Sequence, residues 1–154
     1  MTDPVFEITK AASFDAAHYL PDGPKDSPYT RLHGHSFKVE ATVRGPEHGP
    51  VGWVADLAEL DGALKAIAGE LDHGVLNEKP GLESPTLEHI CLHFADRLKG
   101  QFPGLSRVVV SRPTVGESCS LSLTHKPLIP AKAGTQFCPV STSLESPGPR
   151  LSPG

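Results

Sequence analysis

The sequence predicts an α+β domain in which two helices cover one face of an antiparallel sheet. Two segments near the N-terminus alternate apolar and polar residues with the period of a strand, and two later segments repeat apolar residues every three or four positions, as helices do. Two short apolar runs follow the second helical segment. The resulting order is strand, strand, helix, helix, strand, strand.

Length and charge limit the possible functions. A chain of 154 residues is long enough for one domain with its own core. A formal net charge of -4 without any basic block argues against nucleic acid or an anionic membrane as partner. No apolar run reaches the roughly 18 residues of a membrane span, and the N-terminus does not resemble a signal peptide. We therefore expect a cytoplasmic protein whose partners are small molecules or other copies of itself.

The first two strands each carry histidine at one end. In "FEITKAASFDAAHYL" one parity carries an apolar face that ends at His18, formed by Phe6, Ile8, Ala12, Phe14 and Ala16. The loop "PDGPKDSP" leads to a second strand within "SPYTRLHGHSFKVEATV", where His33 and His35 precede Phe37 and Val39 on one face. The turn segment "RGPEHGPVG" closes this strand.

Both helices have recognisable starts. Asp56 is placed to cap a first helix that ends near Leu71, and Ser84 is predicted to cap a second helix with Pro85 at its first position. The predicted apolar stripes are Leu57, Leu60, Leu64, Ile67 and Leu71, then Leu87, Ile90, Cys91, Phe94 and Leu98. The final strands are predicted in "LSRVVVSR" and "SCSLSLT".

The chain divides near residue 125. Residues 1–124 carry all the periodic segments and form the predicted domain, whereas 125–154 are rich in proline, serine and glycine and are predicted to be disordered. Three cysteines, Cys91, Cys119 and Cys138, form no CxxC pair, so we expect reduced thiols and a packing role for Cys91.

The histidines are candidate metal ligands. Residues two apart on a strand share a face, so His33 and His35 either form the solvated end of the strand or bind one ion. An antiparallel neighbour can bring His18 beside them. Three neutral imidazoles with a fourth position open to water or substrate are the ligand set of a catalytic zinc site.

Two further groups can carry chemistry. Asp72 beside His73 follows the first helix, and such a carboxylate can orient an imidazole for acid/base work, although His73 at a helix C-terminus is also favourable without any catalytic role. Glu117 lies between the last two strands and can accept two parallel N–H bonds from an amidine-like edge, such as that of a pterin. It can equally be a solvated turn residue.

Taken together, "FDAAHYL", "RLHGHSF", "GWVADLAEL", "LDHGVLNE", "PGLESPTLEH" and "GESC" resemble the 6-pyruvoyltetrahydropterin and 6-carboxytetrahydropterin synthase family, and more closely its bacterial carboxy branch. The similarity covers about residues 5 to 122. It implies the tunnelling fold, a four-stranded antiparallel sheet with two helices inserted between strands 2 and 3. It also implies homo-oligomers, commonly hexamers, with active sites at subunit interfaces.

The resemblance implies a role for each candidate residue. His18, His33 and His35 match the zinc ligands, Asp72 and His73 match the acid/base pair, and Glu117 matches the glutamate that anchors the pterin ring, with Arg112 aligning about as well at that position. The implied reaction converts 7,8-dihydroneopterin triphosphate to 6-carboxytetrahydropterin, acetaldehyde and triphosphate on the route to queuosine and other 7-deazapurines.

Tyr29 departs from the family pattern. The carboxy branch usually has a proton-abstracting cysteine four residues before the first histidine of HGH, where this chain has Tyr29. A phenol is a poorer base than a thiol at neutral pH, because it holds its proton more tightly. Two alternatives follow: a related pterin-processing or pterin-binding protein with another reaction, or a non-enzymatic assembly protein with structural histidines. The expected catalytic set is thus Asp72, His73 and Tyr29.

Overall fold

The computed structural model describes residues 2–124. Four strands and two helices follow in the predicted order: β1 Phe6–His18, β2 His33–Gly45, α1 Leu57–Leu71, α2 Leu87–Leu98, β3 Leu105–Arg112 and β4 Glu117–Ser122. The predicted disordered tail and Cys138 lie outside the described residues. Among those described, no helix is long and apolar enough to cross a membrane.

The four strands form one antiparallel sheet in sequence order. The chain makes a hairpin, leaves the sheet for both helices, and returns with the second hairpin beside the first. This confirms the α+β class and the insertion of the helices between strands 2 and 3. The register pairs His18 with His33 and Arg112 with Glu117, which places both pairs at one end of the sheet.

The core lies between the sheet and the helices. Alternation on β2 turns Phe37, Val39, Ala41 and Val43 inward, where each is at most 2% exposed. Phe14 of β1 stacks on Phe37 with ring centroids 5.1 Å apart. The helices contribute buried side chains from their predicted stripes: Leu60, Leu64, Ile67, Leu71, Ile90, Cys91, Phe94 and Leu98.

The first helix begins as predicted, but its stripe is one residue shorter. The Asp56 carboxylate accepts a hydrogen bond of 2.7 Å from the Ala58 amide and so caps the helix, which ends at Leu71. Leu57 is 44% exposed, so its assignment to the buried stripe was wrong. Its position is the first of the helix, beyond the edge of the packed layer.

The predicted start of the second helix was also wrong. Thr86, and not Ser84, is the N-cap, and its hydroxyl accepts from the His89 amide at 3.3 Å. Pro85 therefore precedes the helix. Its carbonyl oxygen accepts a hydrogen bond from the ring of His18, a long-range contact that local sequence preference does not reveal.

Candidate metal centre

Three imidazoles converge where β1 ends and β2 begins. His18 and His33 are directly paired across the strands, and His35 lies two residues further along the same face of β2. Ring centroids are 4.6 Å apart for His18 and His33, 5.2 Å for His18 and His35, and 4.9 Å for His33 and His35. One ring nitrogen from each residue lies within 4.8 Å of the others. The structure thus brings together the three predicted ligands.

Backbone carbonyls orient two of the rings. His18 Nδ1 donates to the Pro85 oxygen at 3.0 Å, and His33 Nδ1 donates to the Arg31 oxygen at 2.7 Å. Because a carbonyl can only accept, each Nδ1 carries the proton and each Nε2 keeps its lone pair. Hydrogen bonds of this kind fix the tautomer and orientation of histidine ligands around metal ions. The sequence contains no signal for these carbonyl partners.

The electrostatics favour neutral rings. His18 is 3% exposed, and burial, with smaller effects of the charges on His33, His35 and Arg112, lowers its pKa to about 4. Burial, followed by the Arg112 guanidinium, also lowers the pKa of His35. Neutral imidazole is the form that binds a metal ion. His18 Nε2 is buried and has no hydrogen-bond partner among the described residues, so a cation there would satisfy an otherwise unpartnered atom. The donor set therefore fits a divalent metal.

A cleft of about 440 Å³ opens beside two of these histidines. Its lining includes His33, His35, Tyr29, Arg31, Arg112 and Glu117. Tyr29 lies in a single 3-10 turn, Pro28–Thr30, and is 51% exposed. Tyr29, at the position where the resemblance led us to expect a cysteine, therefore lies beside two of the candidate metal ligands, in the same cleft as both candidates for the pterin anchor.

Glu117 and Arg112 contact each other. Arg112 Nη2 lies 2.5 Å from Glu117 Oε2, as expected for residues paired across β3 and β4. Arg112 Nη1 also lies 3.2 Å from His35 Nε2. The two alternatives for the anchor position are thus neighbours within one site.

Asp72 and His73 bind to the outer edge of β1. The Asp72 carboxylate accepts from the Asp15 amide at 2.8 Å and from His73 Nδ1 at 2.7 Å, while the His73 amide donates to the Asp15 carbonyl at 2.7 Å. The hydrogen bond to the Asp15 amide, and then the one from His73, lower the pKa of Asp72. The Asp72 carboxylate in turn raises the pKa of His73.

Asp72 and His73, the predicted acid/base pair, face solvent. The side chain of His73 is 80% exposed. His73 and His35 line another cleft, of about 790 Å³, that also includes Thr114. Within residues 2–124, the side-chain hydrogen bonds of Asp72 and His73 go to each other and to Asp15, and not to the three imidazoles.

The two described cysteines pack away from the cleft. Cys91 is 1% exposed, and its thiol donates to the Cys119 carbonyl at 3.5 Å. Burial, followed by the neighbouring Cys119, raises the pKa of Cys91 to about 12. This confirms the packing role of Cys91, and both thiols are free of disulfides.

The same fold occurs in a solved 6-pyruvoyl tetrahydropterin synthase from Caenorhabditis elegans, which superimposes with a TM-score of 0.66 at 21% identity over 80% of this chain and 99% of that one. The family model described as 6-pyruvoyl tetrahydropterin synthase matches residues 7–125. The chain belongs to this family, as its motifs predicted, and its fold is the tunnelling fold.

Two curated relatives carry different activities in their names. A 6-carboxy-5,6,7,8-tetrahydropterin synthase from Synechocystis sp. is 35% identical over 128 residues, covering 79% of this chain and 98% of the relative. A dihydroneopterin monophosphate aldolase from Pyrococcus furiosus is 37% identical over 97 residues, covering 63% of this chain and 78% of the relative. The chain is therefore a member of a pterin-processing enzyme family.

Proposed function

We propose that this protein is a zinc-dependent carbon–carbon lyase of the 6-carboxytetrahydropterin synthase type. Its substrate is 7,8-dihydroneopterin triphosphate, which with water gives 6-carboxy-5,6,7,8-tetrahydropterin, acetaldehyde and triphosphate, for queuosine and 7-deazapurine synthesis. The observation that carries the proposal is the convergence of three ring nitrogens within 4.8 Å beside a cleft lined by Tyr29 and Glu117.

His18, His33 and His35 hold the metal ion. Burial lowers the pKa of His18 and His35, and backbone carbonyls orient His18 and His33, which favours the neutral, oriented rings that a metal ion binds. Bound zinc would act as a Lewis acid that lowers the pKa of side-chain hydroxyls and stabilises negative charge on oxygen.

The remaining residues position the substrate and move protons. The Glu117 carboxylate accepts from the 2-amino and N3 edge of the pterin. Tyr29, in the cleft beside His33 and His35, exchanges a proton with the substrate side chain. His73, whose protonated form is stabilised by Asp72, is suited to donate a proton to a leaving or developing oxyanion.

An oligomer with sites at subunit interfaces would bring the acid/base pair to the metal of another copy. In one subunit, His73 is 80% exposed and its ring is bonded to Asp72 rather than to the imidazoles. Because backbone contacts hold His73 with its ring in solvent, this ring can complete a site on a neighbouring copy. We therefore include a homo-oligomer, hexameric by family resemblance, in the proposal.

A second candidate is an aldolase that acts on a phosphorylated dihydroneopterin. Tyr29 in place of the expected cysteine and the aldolase name of the Pyrococcus relative favour it. In this reaction the 2′-hydroxyl loses its proton and the bond between C1′ and C2′ breaks. The electron pair enters the C6–N5 imine of the dihydropterin, and C1′ then takes up a proton, equal in number to the one lost from the 2′-hydroxyl, as the imine re-forms. The products are a 6-hydroxymethyl dihydropterin and a glycolaldehyde phosphate.

Product analysis separates the two reactions. Zinc-loaded protein is incubated with dihydroneopterin triphosphate and, separately, with the monophosphate, and the pterin and aldehyde products are identified by mass spectrometry. Acetaldehyde with the 6-carboxy product supports the synthase, and the hydroxymethyl product supports the aldolase. If neither pterin is cleaved, the enzymatic proposal fails.

Tyr29→Cys tests whether Tyr29 occupies the position of a catalytic cysteine. If Tyr29 replaces the thiol of a synthase, restoring the thiol increases formation of the 6-carboxy product. Tyr29→Phe, which removes the hydroxyl and keeps the ring, is the matched control and is expected to lose activity. Unchanged turnover in both variants would remove Tyr29 from the catalytic set.

A further inference from the structure

Arg112 makes an unusual set of contacts at the metal centre. Its side chain is 15% exposed, Nη2 pairs with Glu117, and Nη1 donates to His35 Nε2 at 3.2 Å. Its Nε is buried and has no partner among the described residues. A guanidinium has donors only, so the contact with His35 requires a lone pair on that ring nitrogen.

This hydrogen bond is incompatible with a metal-bound His35. If the ion binds Nε2, it takes the lone pair to which Arg112 donates. If the ion binds Nδ1, the neutral ring carries its proton on Nε2, and two donors then face each other. In either tautomer the ion must displace Nη1 from His35.

Displacement leaves Arg112 with unpartnered N–H groups. Nη2 keeps Glu117, which fixes the guanidinium at the end of β3, while Nη1 and Nε both lack acceptors. Buried charged donors without acceptors are unfavourable, and an anionic oxygen is the acceptor that satisfies them best. Arg112 lines the same cleft as Tyr29 and Glu117, so such an oxygen would belong to a ligand in that cleft.

We propose that Arg112 competes with the metal ion for His35 and, once the ion is bound, becomes the group that selects ligands with an anionic oxygen. Arg112 is thus a specificity-determining residue that couples metal binding to substrate binding. This inference rests on the proposed metal site. The anionic oxygen comes either from a phosphate or from a carboxylate carried by the pterin, and the test distinguishes these sources.

Metal titration tests the competition without any activity assay. Metal-free wild-type protein and Arg112→Met are titrated with Zn²⁺ against a chromogenic chelator at fixed pH. Because methionine removes both the competing donor and the repelling charge, Arg112→Met is expected to bind Zn²⁺ about tenfold more tightly. Arg107→Met, an exposed arginine on the same strand, is the matched control and is expected to bind as wild type does.

Ligand titration tests the second role. Inorganic triphosphate and pterin-6-carboxylate are each titrated into Co²⁺-loaded wild-type and Arg112→Met protein, with the visible Co²⁺ spectrum as readout. Weakening of about tenfold for one probe supports the proposal and identifies the source of the oxygen. Arg112→Lys keeps the positive charge but replaces the planar guanidinium, with its parallel N–H donors, by an ammonium group. This variant is expected to restore part of the affinity for the weakened probe. Partial recovery in Arg112→Lys would also show that the weaker binding of Arg112→Met comes from loss of the charged group and not from damage to the fold.

The two titrations distinguish failure of the metal site from failure of the role of Arg112. If wild-type protein binds no Zn²⁺, the metal site of the proposed function fails, and this inference fails with it. If wild-type protein binds Zn²⁺ but Arg112→Met shows the same affinity, or neither probe is weakened, only the role of Arg112 is overturned.

Discussion

Zinc is expected to stabilise the fold through the three histidines. Two nitrogens on a tetrahedral zinc ion are about 3.4 Å apart when each bond is about 2.1 Å. The three ring nitrogens already lie within 4.8 Å of one another, so the rings need to move by about an ångström. Carbonyl partners already orient the rings of His18 and His33. Little of the binding free energy is therefore used in rearranging the protein.

The size of this stabilisation follows from the linkage between zinc binding and folding. Free zinc at about 100 times its dissociation constant stabilises the folded state by about 2.7 kcal/mol. The described domain, residues 2–124, unfolds with an entropy of about 0.26 kcal/mol/K if it follows the usual value per residue. The thermal midpoint should therefore rise by about 10 °C.

Circular dichroism melts with EDTA or excess zinc, at one protein concentration, measure this shift. His33→Ala is the variant of choice, because His33 is only half-buried and its loss removes a ligand without opening the core. We expect the variant to lose most of the shift. His48→Ala, which removes an exposed histidine at the other end of the sheet, should keep it. An equal shift in wild type and His33→Ala, or none in folded wild-type protein, would refute the three-histidine site.

Three further predictions test the surroundings of the site. Asp72→Asn should lower the pKa of His73, because the Asp72 carboxylate stabilises the protonated ring; an unchanged NMR titration of that ring would contradict the pairing. Phe94→Ala should cost about 3 to 5 kcal/mol in urea unfolding, because this fully buried ring stacks on the sheet, and a loss below about 1 kcal/mol would place it outside the core. His33→Ala and His73→Asn are each expected to be inactive, and the two chains, when co-expressed, should recover up to about a quarter of the wild-type activity if each site spans two subunits. No recovery in mixed oligomers would count against shared sites.

Local sequence patterns determined much of the architecture. The period of two along β1 and β2 placed His18, His33 and His35 on apolar faces, and the period of three to four placed both helices. These features are predictable because a side chain's face depends only on the geometry of its own strand or helix. The capping role of Asp56 was predictable for the same reason, since the contact spans two residues.

Tertiary structure decided how these elements combine into a site. The pairing of His18 with His33 depends on the hairpin register, and the position of Arg112 between His35 and Glu117 depends on the register of two further strand pairs. Such contacts join residues far apart in the chain, and local preferences do not encode them.

The start of α2 also shows a difference between what local sequence preference predicts and what the tertiary structure decides. Ser84 and Pro85 have the local chemistry of a helix start, but the observed N-cap is Thr86, and Pro85 instead directs its carbonyl to His18. The sequence by itself therefore determined which residues are available to bind a metal. Only the tertiary structure decided which backbone oxygens orient two of them and which cation contacts the third, because these contacts arise from the packing of distant segments.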